Sequence, residues 1–412
     1  MINKGGVRGM RAFLKVWWLP FLLLYFALFS AILIFGPIAA KQAGGDIHLM
    51  LLARQFLKGS VELSPLGLPN GDIVAFFDRR FIYFGPWPSI LLMPLAFLTK
   101  NNQLQEVLGW GALLFSFCTA YFLALKLKFS DSDSFWLALF LVFSTVLFGA
   151  GLVNISAYLV QAVGFTFVLF ALGEYFGSRR WWLIGILVAL AGLTRMTLYF
   201  SLVYFLAEIF RTKFNYRAVL LLFLPVVISL LILGAYNYKR FRTPWETGYR
   251  YNLTLKNYPM NVNAGYGFMS LSHLPANLYS LLLKAPDPVL APGGGFVLKF
   301  PYLKADGWGM ALWFTSPLFL LLFRAKKEAY SRSAWLSVLV LAVPSLLYYG
   351  VGFTQFGYRY ALDFLPFLFL ALLPNLRPRL SLFAKSLIVL GILFNALYLS
   401  SLWGIYPHFN LY

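Results

Sequence analysis

The sequence contains few of the residues from which many catalytic and metal sites are built. Its 412 residues include one cysteine, Cys118, and three histidines, His48, His273 and His408. A single cysteine excludes a disulfide framework within the chain, and histidines so widely separated give no zinc-ligand spacing. Aspartate and glutamate together number only 14. Acid–base chemistry in this chain therefore has few carboxylates to draw on.

Charge is scarce as well. Charged residues make up 12% of the chain and apolar residues 60%, whereas soluble domains carry about 25% charged residues. Apolar runs of about 16–23 residues recur along the sequence, and this is the length of a helix that crosses a hydrocarbon core of about 30 Å. The sequence therefore predicts an all-α polytopic membrane protein.

The net charge is +20, from 34 basic and 14 acidic residues. In a soluble protein this excess would indicate nucleic acid, but here the basic residues collect in short segments between apolar runs, as in cytoplasmic loops of membrane proteins. We therefore expect no nucleic-acid partner, and we expect a multi-pass protein of the inner (plasma) membrane that contacts lipid. The basic clusters lie at 126–128, 179–180, 211–217, 324–332 and 377–385.

The chain is predicted to form one integral membrane domain, 1–412, with about eleven transmembrane helices, a cytoplasmic N-terminus and the C-terminus outside. The first apolar run, 16–39, is longer than the cleavable core of a signal peptide and is interpreted as a retained anchor. Region 181–210 is interpreted as two helices that turn at Arg195, because only this count places every basic cluster on the cytoplasmic side. The other expected spans are 107–125, 135–152, 157–176, 219–237, 308–323, 334–349, 361–373 and 386–403.

This topology leaves three segments outside the cytoplasm: a first outer loop at 40–106, a second long outer loop at 238–306, and a short segment at 350–360. In the first loop, apolar residues at helical spacing over 47–57 predict an interfacial helix. Residues 74–83 predict two extended arms around a polar turn, and 88–98 predict a short helix. In the second loop, Gly and Pro at 291–295 indicate a flexible tip.

Three aspartates in the first outer loop are the candidate catalytic carboxylates: Asp46, Asp72 and Asp78. A carboxylate near a bilayer surface is suited to act as a general base. Each also has a structural interpretation, since Asp46 can cap the helix that follows it and the other two lie in expected turns. Asp46 with Asp72 or Asp78 also forms an oxygen-ligand pair for a candidate divalent cation, Mg²⁺ or Mn²⁺; the sequence leaves metal use open.

A short motif occurs twice. Residues 248–251 and 357–360 both read Gly-Tyr-Arg-Tyr, and each copy is expected at a membrane boundary. An arginine between aromatic residues can bind a phosphate with two hydrogen bonds while the rings contact lipid or sugar. The alternative is an interfacial belt of tyrosines with arginines that reach to water.

The order of features resembles a known superfamily. An apolar anchor is followed by Gly-Asp at 45–46, an interfacial helix and Gly-Pro-Trp-Pro at 85–88; later come Tyr-Asn-Tyr-Lys-Arg-Phe at 236–241 and Phe-Gly-Tyr-Arg-Tyr-Ala-Leu-Asp at 356–363. This arrangement is similar to the bacterial GT-C glycosyltransferases, the group with protein O-mannosyltransferases and aminoarabinose transferases. Protein O-mannosyltransferases carry Asp-Glu where this chain has Asp46 followed by Ile47, so the acceptor class stays open among an envelope glycan, a lipid and a protein.

The resemblance implies a GT-C-like bundle and an enzyme that takes a sugar from a polyprenyl-phosphate carrier on the non-cytoplasmic face of the cell envelope membrane. Asp46 matches the position of the acidic residue of the superfamily and is our first candidate for the base. Direct displacement by the acceptor implies inversion at the anomeric carbon. Positive charge is needed beside the leaving phosphate, and the candidates are Arg240, Arg250, Arg359, Arg195 and Lys239.

Tyr83, Tyr249, Tyr358 and Tyr360 are the candidate aromatic contacts for lipid or sugar. Asp363 is expected at a helix start, where it stabilises the helix dipole or pairs with Arg359. Two alternative functions remain at this stage. A lipid-linked glycan transporter or flippase would use the same arginines to guide an anionic substrate, and so would a glycan polymerase or ligase.

Overall fold

The computed structural model describes residues 47–63, 72–212, 214–256, 258–291, 295–324, 326, 328–352, 355 and 357–402. Asp46, the expected anchor at 16–39 and most of the expected glycine-rich tip lie outside these ranges. The predictions made for them stay predictions.

The described part of the chain is mostly helical, as the sequence predicts. Its α-helices are α1 (His48–Leu57), α2 (Trp87–Leu98), α3 (Val107–Lys126), α4 (Asp131–Phe143), α5 (Leu147–Leu152), α6 (Ser156–Phe176), α7 (Trp181–Thr194), α8 (Leu202–Thr212), α9 (Tyr216–Phe241), α10 (Met260–Gly265), α11 (Leu274–Leu282), α12 (Leu312–Thr315), α13 (Ala329–Leu347), α14 (Leu365–Leu372) and α15 (Leu382–Leu402). Short 3₁₀ helices occupy Asn102–Glu106, Met196–Ser201, Tyr249–Tyr251, Leu253–Lys256, Leu271–His273, Pro317–Arg324, Arg359–Asp363 and Leu373–Leu376.

Within the described ranges, five helices are long and apolar enough to cross a membrane: α3 with the 3₁₀ turn before it, α6, α9, α13 and α15. The expected count of eleven spans and the orientation of the termini remain predictions. Helix α6 is the most buried of the five, and α9 and α15 are the least buried. The sides of α9 and α15 that carry exposed leucines, such as Leu231 and Leu393, therefore suit contact with lipid.

Two of the expected spans are interrupted. The span at 135–152 divides into α4 and α5, and the span at 308–323 becomes α12 followed by a 3₁₀ helix that begins at Pro317. One side chain from α15 serves both interruptions, because Asn395 Nδ2 donates hydrogen bonds to the carbonyls of Phe143, Thr145 and Thr315 over 3.1, 3.3 and 3.0 Å. The backbone carbonyls at a helix interruption inside a bilayer require hydrogen-bond donors from the protein.

The first outer segment forms a hairpin, as its sequence pattern predicts. Strands β1 (Ile73–Phe76) and β2 (Arg79–Ile82) pair antiparallel, with Ile73 opposite Ile82. The chain then passes over the end of α7 at Gly85, where a Cβ would lie 1.9 Å from the Leu193 carbonyl oxygen. Glycine is required for so close an approach of two backbones, and it holds Tyr83 beside the end of α7.

Arg240 near the end of α9 fastens this hairpin to the helix bundle. Its guanidinium donates to the Ile82 carbonyl and, over 2.5 Å, to Asn237 Oδ1. It also lies 3.9 Å from the centre of the Tyr236 ring, and Arg240 is only 3% exposed. These contacts are those of a structural residue.

A second hairpin departs from the all-α prediction. Strands β3 (Asp287–Leu290) and β4 (Leu298–Lys304) pair antiparallel in the second outer loop, with Asp287 opposite Lys304. Between them lies the Gly-Pro segment that was expected to be a flexible tip. The Gly and Pro residues predict only the turn between the strands. The alternation of Leu298, Phe300 and Tyr302 is the pattern that predicts a strand.

The interruption at Arg195 was predicted and is present. Helix α7 ends at Thr194, Arg195 has an extended backbone with φ −139° and ψ 121°, and a 3₁₀ helix leads into α8. Region 181–210 is therefore two helices, which turn at an arginine.

We expect Arg240→Met to destabilise the protein by about 1–3 kcal/mol, because the buried Ile82 carbonyl and Asn237 lose a charged donor. Thermal unfolding in detergent, followed by tryptophan fluorescence, measures this effect. The neighbouring Lys239→Gln is the control, since the exposed Lys239 amine donates to the Gly59 carbonyl over 2.6 Å. Unchanged unfolding in Arg240→Met would contradict the fastening role.

Candidate functional site

A cavity of about 560 Å³ lies where the three predicted outer segments meet. Each segment supplies part of its lining: Tyr83 follows β2, Tyr249 and Phe268 come from the second outer loop, and Arg359 from the 3₁₀ helix Arg359–Asp363. An isolated backbone bridge joins Val74 of the first segment to Asn252 of the second, and another joins Met269 of the second segment to Tyr348 at the end of α13. The lining also includes Arg195, Thr197, Tyr348, Tyr360 and Asp363.

Arg359 is the lining cation with the fewest polar partners. Its Nη1 donates to Gln161 Oε1 on α6 over 3.0 Å, and its guanidinium lies 4.9 Å from the Tyr158 ring centre and 5.1 Å from that of Tyr360. Its buried Nε has no hydrogen-bond partner, and among the described residues no carboxylate forms a salt bridge with it. A charged donor group is thus left available inside the cavity.

Arg195 is held differently. Its Nε and one Nη each donate to a different oxygen of Asp363 over 2.9 Å, and Thr197 donates to the same carboxylate over 2.7 Å. Burial lowers the pKa of Arg195, but the charge and hydrogen bonds of Asp363 together with Tyr249 and Tyr360 raise it by more, and the net shift is upward. The expected pairing of Asp363 with Arg359 is therefore wrong: Asp363 pairs with an arginine 168 residues away.

Asp72, a candidate base, is connected to the cavity through Tyr83. The Tyr83 hydroxyl donates to Asp72 Oδ1 over 2.6 Å. Burial, followed by the charge of Asp72, raises the pKa of Tyr83 well above its usual value, so Tyr83 stays a neutral donor. Burial lowers the pKa of Arg359, while Tyr360, Tyr158 and then Asp72 raise it, with a net upward shift. Asp72 is thus near enough to act on the charge of Arg359.

Aromatic rings form much of the remaining wall. The ring centres of Tyr83 and Tyr249 are 4.4 Å apart, those of Tyr249 and Phe268 are 5.8 Å apart, and those of Phe268 and Tyr348 are 5.2 Å apart. Tyr360 continues the series at 5.7 Å from Tyr348. The wall thus offers apolar ring faces together with phenol hydroxyls.

Other predicted site residues lie outside this lining. Arg240 and Lys239 bind backbone carbonyls of the first outer segment, Asp78 is exposed in the β1–β2 turn, and the buried Tyr358 hydroxyl donates to Asn277 over 3.1 Å. Arg250 is mostly exposed and pairs with Glu246. Of the predicted site residues, the structure brings Arg195, Arg359, Tyr83, Tyr249 and Tyr360 together in the lining, with Asp72 behind Tyr83.

Gln161 and Tyr158 were not identified from the sequence. Both lie near the start of α6, in a run read as an ordinary span, and both contact Arg359. A glutamine inside an apolar run is a signal that could have been used, because polar groups at membrane depth need partners. Phe268 and Tyr348 carried no such signal, since aromatic residues are frequent throughout this chain.

The described lining has a net charge of +1, because Asp363 balances Arg195 and leaves Arg359. Among the described residues, no group of three or more His, Cys, Asp or Glu side chains could hold a metal ion. The expected cation site included Asp46, which lies outside those residues, so Mg²⁺ or Mn²⁺ binding stays a prediction. The described part of the site is equipped to bind one negative charge among aromatic rings.

Comparison with known proteins gave one structural match. No family model matches the chain, and no curated protein does. An apo crystal structure of the Archaeoglobus fulgidus oligosaccharyltransferase matches with a TM-score of 0.41 and 13% identity, over 92% of this chain and 55% of that protein. The chain thus spans about half the length of that enzyme.

We expect Asp363→Asn to destabilise the protein by about 3–5 kcal/mol, because it leaves the Arg195 charge buried without its partner. The double variant Arg195→Met with Asp363→Leu is expected to recover part of this loss, since it removes both charges. Thermal unfolding of Arg195→Met, Asp363→Leu and the double variant measures the coupling, and Asp363→Asn is unfolded under the same conditions. Strictly additive effects would show that the pair contributes no stabilisation of its own.

Proposed function

We propose that this protein is a membrane glycosyltransferase that moves a sugar from a polyprenyl-phosphate carrier to an acceptor. The main support is Arg359, a cation in the cavity wall whose guanidinium has, among the described residues, one neutral hydrogen-bond partner and no carboxylate. Buried charges are normally paired, so an arginine left in this state is suited to an anionic ligand. Its planar donors match phosphate oxygens.

The charge of the lining favours a carrier with one phosphate. A sugar attached through a single phosphate forms a phosphodiester, which carries one negative charge. The described lining carries one net positive charge, so binding would leave the lining itself neutral, with the Asp72 carboxylate behind Tyr83. A diphosphate carrier adds negative charge for which the described lining offers no further unpaired arginine.

An isoprenoid chain requires an apolar way out of the cavity. Met196, Phe200 and Met269 line the cavity and are also 52%, 48% and 47% exposed. They therefore form an apolar rim between the cavity and the outer surface. This rim suits the first isoprene units, while the phosphate lies at Arg359.

We place the cavity on the non-cytoplasmic face of the inner membrane. It lies at the C-terminal end of α13, where Pro344 and Ser345 contribute to the lining, whereas the basic cluster with Arg332 lies at the N-terminal end of the same helix. Because basic clusters stay in the cytoplasm, the cavity belongs to the opposite side. A position at the membrane boundary favours a transferase over a flippase, whose site would lie near the midplane.

The proposed reaction is a direct displacement. A carboxylate takes the proton of the acceptor hydroxyl as its oxygen attacks the anomeric carbon from the face opposite the phosphate. The bond from that carbon to the phosphate oxygen breaks, its electron pair leaves with the polyprenyl phosphate, and Arg359 stabilises the charge that develops there. The configuration at the anomeric carbon is inverted. Asp46 remains a candidate base, and Asp72 is the candidate among the described residues.

We expect Arg359→Gln to weaken binding of polyprenyl-phosphate sugars about 10–100-fold, because a charged hydrogen-bond donor is lost. Binding is measured with a panel of radiolabelled donors and the purified protein in nanodiscs. Arg332→Gln is the matched control, since it removes an exposed arginine from the other end of α13. Equal donor affinity in Arg359→Gln and wild type would contradict the assignment of the phosphate site.

Asp72→Asn is expected to lower turnover about 10²–10⁴-fold with donor affinity retained, because the substitution removes a general base and keeps its size. Release of free polyprenyl phosphate, with a membrane extract as the acceptor source, measures turnover. Asp46→Asn in parallel identifies which aspartate is the base. Wild-type turnover in Asp72→Asn would exclude Asp72 from that role, and movement of intact donor across liposomes would favour a flippase.

A further inference from the structure

A second, more open pocket of about 400 Å³ adjoins the main cavity. Thr247, Tyr249 and Phe268 line both, so a single layer of side chains separates them. The rest of its described lining comes from the segment after α9, from Thr243 to Arg250. A ligand in this pocket would therefore lie directly beside a donor in the cavity.

The polar groups of this pocket are fixed in position. The Glu246 side chain is 10% exposed and pairs with Arg250, whose side chain is 65% exposed. The other Glu246 oxygen accepts a hydrogen bond from the Gly248 backbone N–H over 2.8 Å. The carboxylate is thereby held toward the pocket, and the pair adds no net charge.

Trp245, beside this pair, has its indole almost fully in solvent. It is 88% exposed and lines the pocket together with Thr243 and Glu246. An aromatic face, a carboxylate acceptor, a guanidinium donor and threonine hydroxyls complement the apolar ring face and the hydroxyl groups of a sugar. The absence of net charge in this pair disfavours an anionic ligand such as a phosphate or an acidic peptide.

We infer that this pocket is the acceptor subsite and that it takes a neutral carbohydrate chain presented from the aqueous side. This inference rests on the proposed transferase function. An acceptor hydroxyl that passes Tyr249 approaches Tyr83, whose ring centre lies 4.4 Å from that of Tyr249 and whose hydroxyl is bound to Asp72. The hydroxyl proton goes to the carboxylate, and its oxygen forms the new bond to the donor sugar as the polyprenyl phosphate leaves.

The assignment also gives different roles to the two copies of the Gly-Tyr-Arg-Tyr motif. The copy at 357–360 places Arg359 and Tyr360 in the main cavity, whereas the copy at 248–251 places Arg250 in the open pocket and Tyr249 in the wall between the two. Arg359 forms no ion pair with any carboxylate that the structure describes, and it meets the phosphate. Arg250 is neutralised by Glu246 and meets the acceptor.

The test is binding of soluble hexasaccharides of glucose, mannose and N-acetylglucosamine to the full-length protein in nanodiscs, measured by saturation-transfer NMR and calorimetry. We expect at least one of them to bind, and we expect Trp245→Ala and Glu246→Gln to weaken this binding about 10-fold or more. Trp182→Ala is the matched control, since Trp182 is also exposed, at 46%, and lies at the start of α7, away from both pockets. Trp245→Ala removes an exposed side chain, so folding is not at risk.

The donor assay separates the two proposals. Donor affinity within about twofold of wild type in Trp245→Ala, together with weakened hexasaccharide binding, supports the subsite. If no hexasaccharide binds, or if binding survives both substitutions, the subsite is overturned, while donor binding that depends on Arg359 still supports the transferase. Hexasaccharide binding by a protein that binds no donor would overturn the transferase and the acceptor role with it.

Discussion

The ion pair between Arg195 and Asp363 is the contact on which the arrangement of the cavity depends. It joins the interruption between α7 and α8 to the 3₁₀ helix Arg359–Asp363, with two hydrogen bonds of 2.9 Å across 168 residues of chain. A bidentate geometry fixes orientation as well as distance. Because this pair cancels its own charge, the net charge of the described lining is that of Arg359, which lies on the same 3₁₀ helix as Asp363.

Backbone carbonyls at the interruptions of the helices are also bonded by polar side chains. A helix that is interrupted at membrane depth exposes carbonyls, and each must find a donor within the protein. Asn395 satisfies three such carbonyls from two interruptions, while Arg240 satisfies one at the end of β2. In both cases a polar side chain of this apolar chain is used where the regular structure stops.

The secondary-structure elements that depend on neighbouring residues in the sequence were predictable. The β1–β2 hairpin, α2 and the turn at Arg195 follow from alternation, proline position and the side on which basic residues collect. The partner of Asp363 was not predictable, because nearby Arg359 was the obvious choice and the true partner is distant in sequence. The division of 135–152 into α4 and α5 was missed for a similar reason, since its compensating residue, Asn395, lies in another span. The repeated Gly-Tyr-Arg-Tyr motif predicts the same phosphate-binding role for Arg250 and Arg359. The structure distinguishes them, because Glu246 pairs with Arg250.

The 3₁₀ helix Met196–Ser201 begins directly after Arg195 and carries both Met196 and Phe200, so two turns of backbone link the Arg195–Asp363 ion pair to the far end of the apolar rim. With a rise of about 2 Å per residue, Phe200 lies about 10 Å along this helix from Arg195. The separation between the ion pair and Phe200 is therefore set by the geometry of a backbone helix. A ligand whose charged group and lipid tail are farther apart than this separation has to extend beyond the rim, because the backbone helix does not lengthen.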